Sequence, residues 1–339
     1  MIKLACFGAG RIGQVHALNA AATLGATLSY IVDPVAGAHA EELATRTGAS
    51  LTDADTVFAD ATVDGIIIAS STDSHAPLLL RAAEAGKAVF CEKPVSLDFA
   101  QVAEATQAVE ASGIACMLGF QRRYDPSFRQ VRDRVLSGAA GRLEHVAMVS
   151  RDPTPPSASY VRTSGGMFRD TAIHDMDMCR FLLEEDVATV YATGSCLISP
   201  EIGEAGDIDT LMITLTTVSG RMAQVINCRR GPLGYDQRLE ALCEHEVLFV
   251  DNKPASSVRI ARPDGSTAAP PMNYFIERFA DAYRDEMTAF VDLIRDSTPA
   301  LTTIRNGFEA QRLVEAAIVS AGTGQAVAFG PDWMPEAAS

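Results

Sequence analysis

Between residues 2 and 118 short apolar runs alternate with helical patterns, and this alternation limits the fold more than any other feature of the chain. "IKLACF", "TLSYIVDP", "VDGIIIASS", "AVFCEKP" and "IACMLGF" read as strands. "RIGQVHALNAAAT", "HAEELATRTG", "HAPLLLRAAEAG" and "SLDFAQVAEATQAVEASG" read as the helices between them. Ile12, Val15 and Leu18 share one face of the first helix. Gly48 and Gly86 suit helix ends, and Ser96 suits an N-cap. Strands joined through helices pair in parallel. Three consecutive isoleucines fit a strand buried on both faces.

After residue 120 the rhythm changes. "RLEHVAMVSRD", "ATVYATGSCLI", "IDTLMITLTTVSG", "RMAQVINCRRG", "RLEALCEHE" and "EVLFVDN" read as successive strands, with a hairpin turn at Ser219-Gly220. Strands without intervening helices imply an antiparallel sheet. "FADAYRDEMTAFVDLIRD" and "NGFEAQRLVEAAIVSAG" return to helix. At 339 residues the chain exceeds one ordinary core. The reading is α/β: an N-terminal Rossmann, doubly wound parallel sheet over 1–120, then a C-terminal α+β domain over 121–339 with a large, mostly antiparallel sheet.

Forty-three acidic against 28 basic residues give a net charge of −15, which disfavours nucleic acid and anionic membrane surfaces as partners. No apolar run approaches the ~20 residues that span a bilayer, and the first residues lack a signal-peptide plan. Seven cysteines without a C-x-x-C pair read as reduced thiols of a cytoplasmic protein.

"GAGRIG" is Gly8-x-Gly10-x-x-Gly13, after a strand and opening a helix, with Asp33 at the end of the second strand. This is the context of a dinucleotide-binding turn: Gly8 for the turn, Gly10 for pyrophosphate approach, Gly13 for helix–strand packing. Arg11 and Ile12 lie in the same loop. Asp33 would accept from the ribose hydroxyls and repel a 2′-phosphate, favouring NAD over NADP. Ser71, Thr72 and His75 follow the triple-isoleucine strand and are placed to line the cofactor, although His75 equally suits a local helix-start contact. Glu92 and Lys93 end the next strand beside the expected nicotinamide end.

"GGMFRDTAIHDMDMCRF" places Asp170, His174, Asp175 and Asp177 within eight residues. On a helix Asp170 and His174 share a face. A metal site would use such ligands, but no second His/Cys cluster has matching spacing. An acidic helix start explains Asp170 but not a histidine one turn on. A proton relay explains both: His174 as base for a hydroxyl, Asp170 holding its imidazole, Lys93 supporting the developing alkoxide. Gly165 and Gly166 would let backbone pass close to a ligand. Asp177 reads as structural. Arg151, Asp152, Tyr235 and Tyr283 are candidates for substrate contact, each Tyr at least equally for core packing, and Arg123 for substrate, cofactor or structural pairing.

"FGAGRIGQVHA", "ASSTDSHAP", "CEKP" and "GGMFRDTAIHDMDM", in this order, resemble the Gfo/Idh/MocA oxidoreductases. "GYDQRLEALCEHEVLFVDN" and "YFIERFADAYRDEMTAF" are similar to its inositol-oxidising branch. The resemblance implies oxidation of myo-inositol to 2-keto-myo-inositol with NAD, Lys93, Asp170 and His174 as catalytic residues, and a homo-oligomer, a tetramer or a dimer, built through the second sheet. Another cyclic polyol or pyranose sugar as substrate, a glycosidase using NAD transiently, and a non-catalytic NAD-binding regulator remain as alternatives. Gln121 stands where the family often has Asn or Met, at a position of cofactor contact. Cys243 and His245 occupy a turn that is more often Gly-rich.

Overall fold

The computed structural model describes residues 1–35 and 37–336. Six strands form one parallel sheet: β1 (Ile2–Phe7), β2 (Ala26–Val32), β3 (Ser50–Thr52), β4 (Gly65–Ile68), β5 (Ala88–Cys91) and β6 (Cys116–Leu118). Their order is β3-β2-β1-β4-β5-β6, so the winding reverses between β1 and β4, the point where such sheets bind ligands. Helices α1 (Arg11–Ala22), α2 (Ala38–Thr47), α3 (Ala54–Ala59), α4 (His75–Ala85) and α5 (Phe99–Ser112) connect them. As expected of strands covered on both faces, β4 and β5 are buried at every position.

Two local expectations are corrected. The buried face of α1 is Gly13, His16, Ala17 and Ala20, whereas Ile12, Val15 and Leu18 are half-buried. Small residues let this helix lie close on the sheet. The N-cap of α5 is Asp98, whose carboxylate accepts from the Ala100 amide at 2.9 Å; Ser96 instead donates to Gln101 at 2.8 Å. Gly48 and Gly86 close α2 and α4 in the left-handed region.

The second sheet contains β7 (Leu143–Arg151), β8 (Val187–Ser195), β9 (Thr210–Thr217), β10 (Met222–Cys228), β11 (Asp236–Cys243) and β12 (Val247–Val250). A short hairpin, β13 (Arg259–Arg262) and β14 (Gly265–Ala268), was not anticipated and is exposed throughout. The helices of this part are α6 (Pro126–Leu136), α7 (Ala158–Ser164), α8 (Ile173–Leu183), α9 (Pro200–Glu204) and α10 (Phe275–Arg278). Then come α11 (Ala280–Asp296), α12 (Ile304–Thr323) and an edge strand, β15 (Val327–Ala328). The order is β12-β11-β7-β10-β9-β8-β15. Only the β7–β10 pairing is parallel among the described pairs, so the sheet is mixed and mostly antiparallel. Leu211, Ile213 and Leu215 are buried on one face of β9, as the alternation requires.

The chain divides into two compact units, and the first is discontinuous: Met1–Asp125 with Asp281–Glu309, against Pro126–Ala280 with Ala310–Ser339. Amphipathicity explains the return of the chain. Tyr283, Met287, Phe290 and Val291 of α11 are buried. A Cβ at Gly65 in β4 would lie 2.8 Å from Ile294 and 3.2 Å from Phe290, so α11 rests on the parallel sheet.

Candidate active site

In the first unit the glycine loop has the geometry its spacing predicts. Gly8 has φ +102°, and a Cβ there would sit 2.5 Å from the Ala69 carbonyl oxygen. A Cβ at Gly13 would sit 2.1 Å from the Gly8 carbonyl oxygen, so helix–strand packing demands glycine. At Gly10 a Cβ would meet no protein atom within 4 Å, so packing does not require glycine there and its backbone is open to close approach. No side chain caps the start of α1, which leaves its amide groups and positive dipole end for an anion. Asp33 accepts from the Ala9 amide at 2.7 Å and the Val35 amide at 3.0 Å. A carboxylate has about four acceptor positions, so ribose hydroxyls can be taken as well. These residues fit the adenosine diphosphate end of NAD. Arg11 is exposed and Ile12 half-buried at the loop's rim.

Beyond β4, Ser71 is exposed and Thr72 half-buried in a single 3₁₀ turn, both accessible to a ligand. His75 is only 2% exposed, and both ring nitrogens face carbonyl oxygens: Pro94 at 2.8 Å and Ser70 at 3.1 Å. Burial pushes its pKa down, against the pull of those carbonyls. His75 therefore braces two turns, the local contact its place at a helix start also suggested. Glu92 is buried and lies 2.7 Å from His16 Nε2. Lys93 is half-buried and precedes Pro94 through a cis peptide bond. Gln121 is buried at the start of a 3₁₀ turn. Arg123 is buried with Nη1 donating to the Leu301 carbonyl at 2.7 Å, a structural tie and not a free cation for substrate. Tyr283 is 3% exposed and meets His16 edge-on at 5.6 Å, in the core of this unit.

In the second unit the segment around Asp170 is a π-helical turn, Met167–Ala172, that runs into α8. The regular α-helix assumed from the spacing is corrected there; π turns are rare and concentrate at functional sites. Asp170 accepts from the Tyr160 hydroxyl at 3.2 Å and lies 3.5 Å from Arg229 Nη1, which also reaches Asp152 at 3.1 Å. Arg229 is 3% exposed; burial works against its charge, but Asp170 and Asp152 outweigh that. Burial first, then the Asp170 charge, pushes the Tyr160 phenol up. Asp207 is raised by burial and accepts the Met167 amide at 2.9 Å. A Cβ at Gly166 would sit 2.6 Å from that carboxylate, so this glycine makes room for Asp207 instead of a ligand.

His174 is half-buried in the first turn of α8. Behind it, fully buried Asp175 accepts from Ser150 and Asn227, each at 2.7 Å, which ties α8 to β7 and β10. Asp177 is buried as well. Arg151 pairs with Asp236 at 2.6 Å, and Tyr235 is 8% exposed with its ring edge-on to Phe279 at 6.2 Å. Sequence reasoning missed Arg229, Tyr160 and Asp207. The one usable signal was "CRRG" at the end of β10, where Cys228 pairs with Arg151, but that register is invisible without the sheet. Among the described residues no three His, Cys, Asp or Glu side chains gather as a metal site, and no helix is long and apolar enough to cross a membrane.

Comparison with known proteins agrees with both halves. Residues 2–120 match the oxidoreductase family with an NAD-binding Rossmann fold, and residues 128–248 match the GFO/IDH/MocA C-terminal domain. An inositol 2-dehydrogenase of Rhizobium meliloti is 39% identical over 94% of this chain and 96% of its own. A crystal structure of a myo-inositol dehydrogenase from Corynebacterium glutamicum superposes with TM-score 0.93 at 39% identity, covering 98% of this chain and 99% of that one. A scyllo-inositol dehydrogenase from Lactobacillus casei, solved with NAD(H) and scyllo-inositol, gives TM-score 0.89 at 28% identity, covering 96% and 98%. With both of its parts matched in order and nearly end to end, the chain belongs to the Gfo/Idh/MocA family of NAD-binding oxidoreductases.

Proposed function

We propose that the protein is an NAD-dependent inositol 2-dehydrogenase that oxidises myo-inositol to 2-keto-myo-inositol. The observation that carries this is the similarity, over nearly the full length of both chains, to proteins named for that activity. Bound NAD supplies the hydride acceptor. The residues of the chain do the rest. The glycine loop and α1 hold the pyrophosphate, and Asp33 takes the ribose hydroxyls while repelling a 2′-phosphate. His174 removes the proton of the reacting hydroxyl; Asp170 holds the imidazole and stabilises its cation. Lys93 supports the charge that develops on the oxygen. Arg151, Asp152 and Tyr235 are assigned to the remaining hydroxyls. A second reading, oxidation of scyllo-inositol, is favoured by the Lactobacillus casei relative.

The assembly is proposed as a homotetramer. Tyr191, Met212, Met222, Val247 and Phe249 are between 42% and 63% exposed, and strand register puts them on one face of the second sheet. Large apolar side chains exposed on one sheet face support an interface there. Seven free cysteines suit a reducing, cytoplasmic location.

The test is nicotinamide reduction followed by absorbance against inositol isomers, other cyclic polyols and pyranoses, with NAD and NADP. Oxidation of an inositol with NAD supports the reading; no NADH with any inositol overturns it. His174→Ala should lose roughly 10²–10⁴-fold in rate yet still bind NAD. Chelators should have no effect; activity abolished by chelation and restored by a divalent metal would make the Asp170–His174 segment a metal site. A concentration-independent monomer mass in light scattering would refute the tetramer.

A further inference from the structure

Behind Lys93 lies a buried polar cluster that the reaction above does not use. His16, on the buried face of α1, is fully buried and packs on Phe90 at 4.7 Å and Tyr283 at 5.6 Å. Its Nε2 lies 2.7 Å from Glu92 Oε1. The other carboxylate oxygen of Glu92 accepts the backbone N–H of Lys93 at 3.2 Å. The carboxylate lies flat against Gly119: a Cβ there would be 2.8–3.0 Å from its three atoms. His16 Nδ1 is buried without a hydrogen-bond partner among the described residues. Nε2–H therefore donates and Glu92 accepts.

We propose that the His16–Glu92 pair is a positioning device that fixes the backbone at Lys93 against the helix opened by the glycine loop. The proposal rests on the reaction assigned above, in which Lys93 supports the alkoxide. One carboxylate grips both elements, so the helix that faces the pyrophosphate and the residue that faces the alcohol share a single anchor in the same compact unit. Glu286 of α11 completes the cluster. It is fully buried, and neither oxygen has a hydrogen-bond partner among the described residues. Burial, then the Glu92 charge, pushes it well above the usual carboxyl range. As a neutral acid Glu286 does not compete for the two donors that Glu92 holds.

Glu92→Gln keeps the volume but offers one oxygen to two donors, so one of the two grips must fail. With the full-length protein, kcat should fall about 10–100-fold, the penalty of a slightly misplaced group, while KM for NAD and the melting temperature stay near those of the unmodified chain. His16→Gln should lower kcat similarly, and the double variant should fall no further than the worse single one. Hydrogen exchange of the peptide spanning residues 88–98 is read with NADH bound; Glu92→Gln and His16→Gln should both speed exchange at Lys93. If Glu92→Gln does not fold, His16→Gln, which keeps the carboxylate, carries the same comparison. An unchanged kcat with unchanged exchange overturns the proposal. So does a kcat loss matched by equal losses of NADH affinity and melting temperature, the mark of a merely structural pair. If the unmodified protein reduces NAD with no inositol, the reaction assignment fails, and hydrogen exchange alone decides: unchanged protection in both variants overturns the anchor, and lost protection supports it.

Discussion

A neutral glutamic acid in a protein core leaves a signature in how stability varies with pH. Glu286 is fully buried, and its carboxyl is raised well above the ordinary 4.5 by burial and then by the charge of Glu92. Below the ordinary value both folded and unfolded chains hold the proton, and there is no penalty. As pH rises past it, the unfolded chain releases the proton and the folded chain keeps it, so folding stability falls. The fall ends when the folded value is reached. One proton at full slope amounts to ~1.4 kcal/mol per pH unit. For a cooperative unit of roughly 150 residues that is about 3–6 °C in melting temperature per unit. Glu286→Gln and Glu286→Leu remove the proton, so stability relative to the unmodified chain should move in each variant's favour by ~1.4 kcal/mol for each unit of pH rise within that window. The amide adds a pH-independent offset of about 1–3 kcal/mol for its unpaired donors; the leucine does not. The titratable groups that interact with Glu286 are Glu92 and Tyr124, both present in each variant, so their contributions largely cancel in the difference. Urea unfolding at closely spaced pH values measures it. Parallel curves for the unmodified protein and both variants would refute a buried neutral Glu286.

Asp33→Ser removes a repulsion of about 1–4 kcal/mol toward a 2′-phosphate at ~4 Å, so the ratio of kcat/KM for NAD to that for NADP should fall roughly 10–10³-fold; equal efficiency with both cofactors in the unmodified protein would contradict the assignment. Gly13→Ala drives a Cβ to 2.1 Å from the Gly8 carbonyl oxygen, and at least about 1–3 kcal/mol of strain should appear as lost NADH affinity in fluorescence titration. Asp175→Ala strands the buried Ser150 hydroxyl and Asn227 amide, so denaturant unfolding should show a loss of about 3 kcal/mol or more.

The features that could be read from sequence were those set by neighbours along the chain. The glycine loop, the buried Ile66–Ile68 run and the alternation of Leu211, Ile213 and Leu215 follow from local spacing, and each stands in the fold as expected. Side-chain roles set by distant partners were not legible. Glu92 reads as a charged turn residue until His16, 76 positions away, is placed beside it. Tyr283 and Glu286 belong to the first unit only because α11 returns to its sheet. Asp170 has Arg229 beside it because β10 and β7 run in parallel, a pairing that a succession of hairpins would not suggest. The cap of α5 was ambiguous for another reason: Ser96 and Asp98 are both good capping residues, and only geometry chooses between them.

The return of residues 281–309 to the first unit also sets an order of events during synthesis. Chains emerge amino-terminus first, and domains tend to fold as they are delivered. Here the β4 surface that receives Phe290 and Ile294, and the Phe90 ring that Phe290 meets at 5.9 Å, stay uncovered until the ribosome has made the whole intervening second-unit segment. The earliest-made part of the protein is thus among the last to be finished. A message cut short near residue 250 would yield a polypeptide with an intact glycine loop and an open apolar sheet, a substrate for chaperones and proteases instead of a half-enzyme that sequesters NAD.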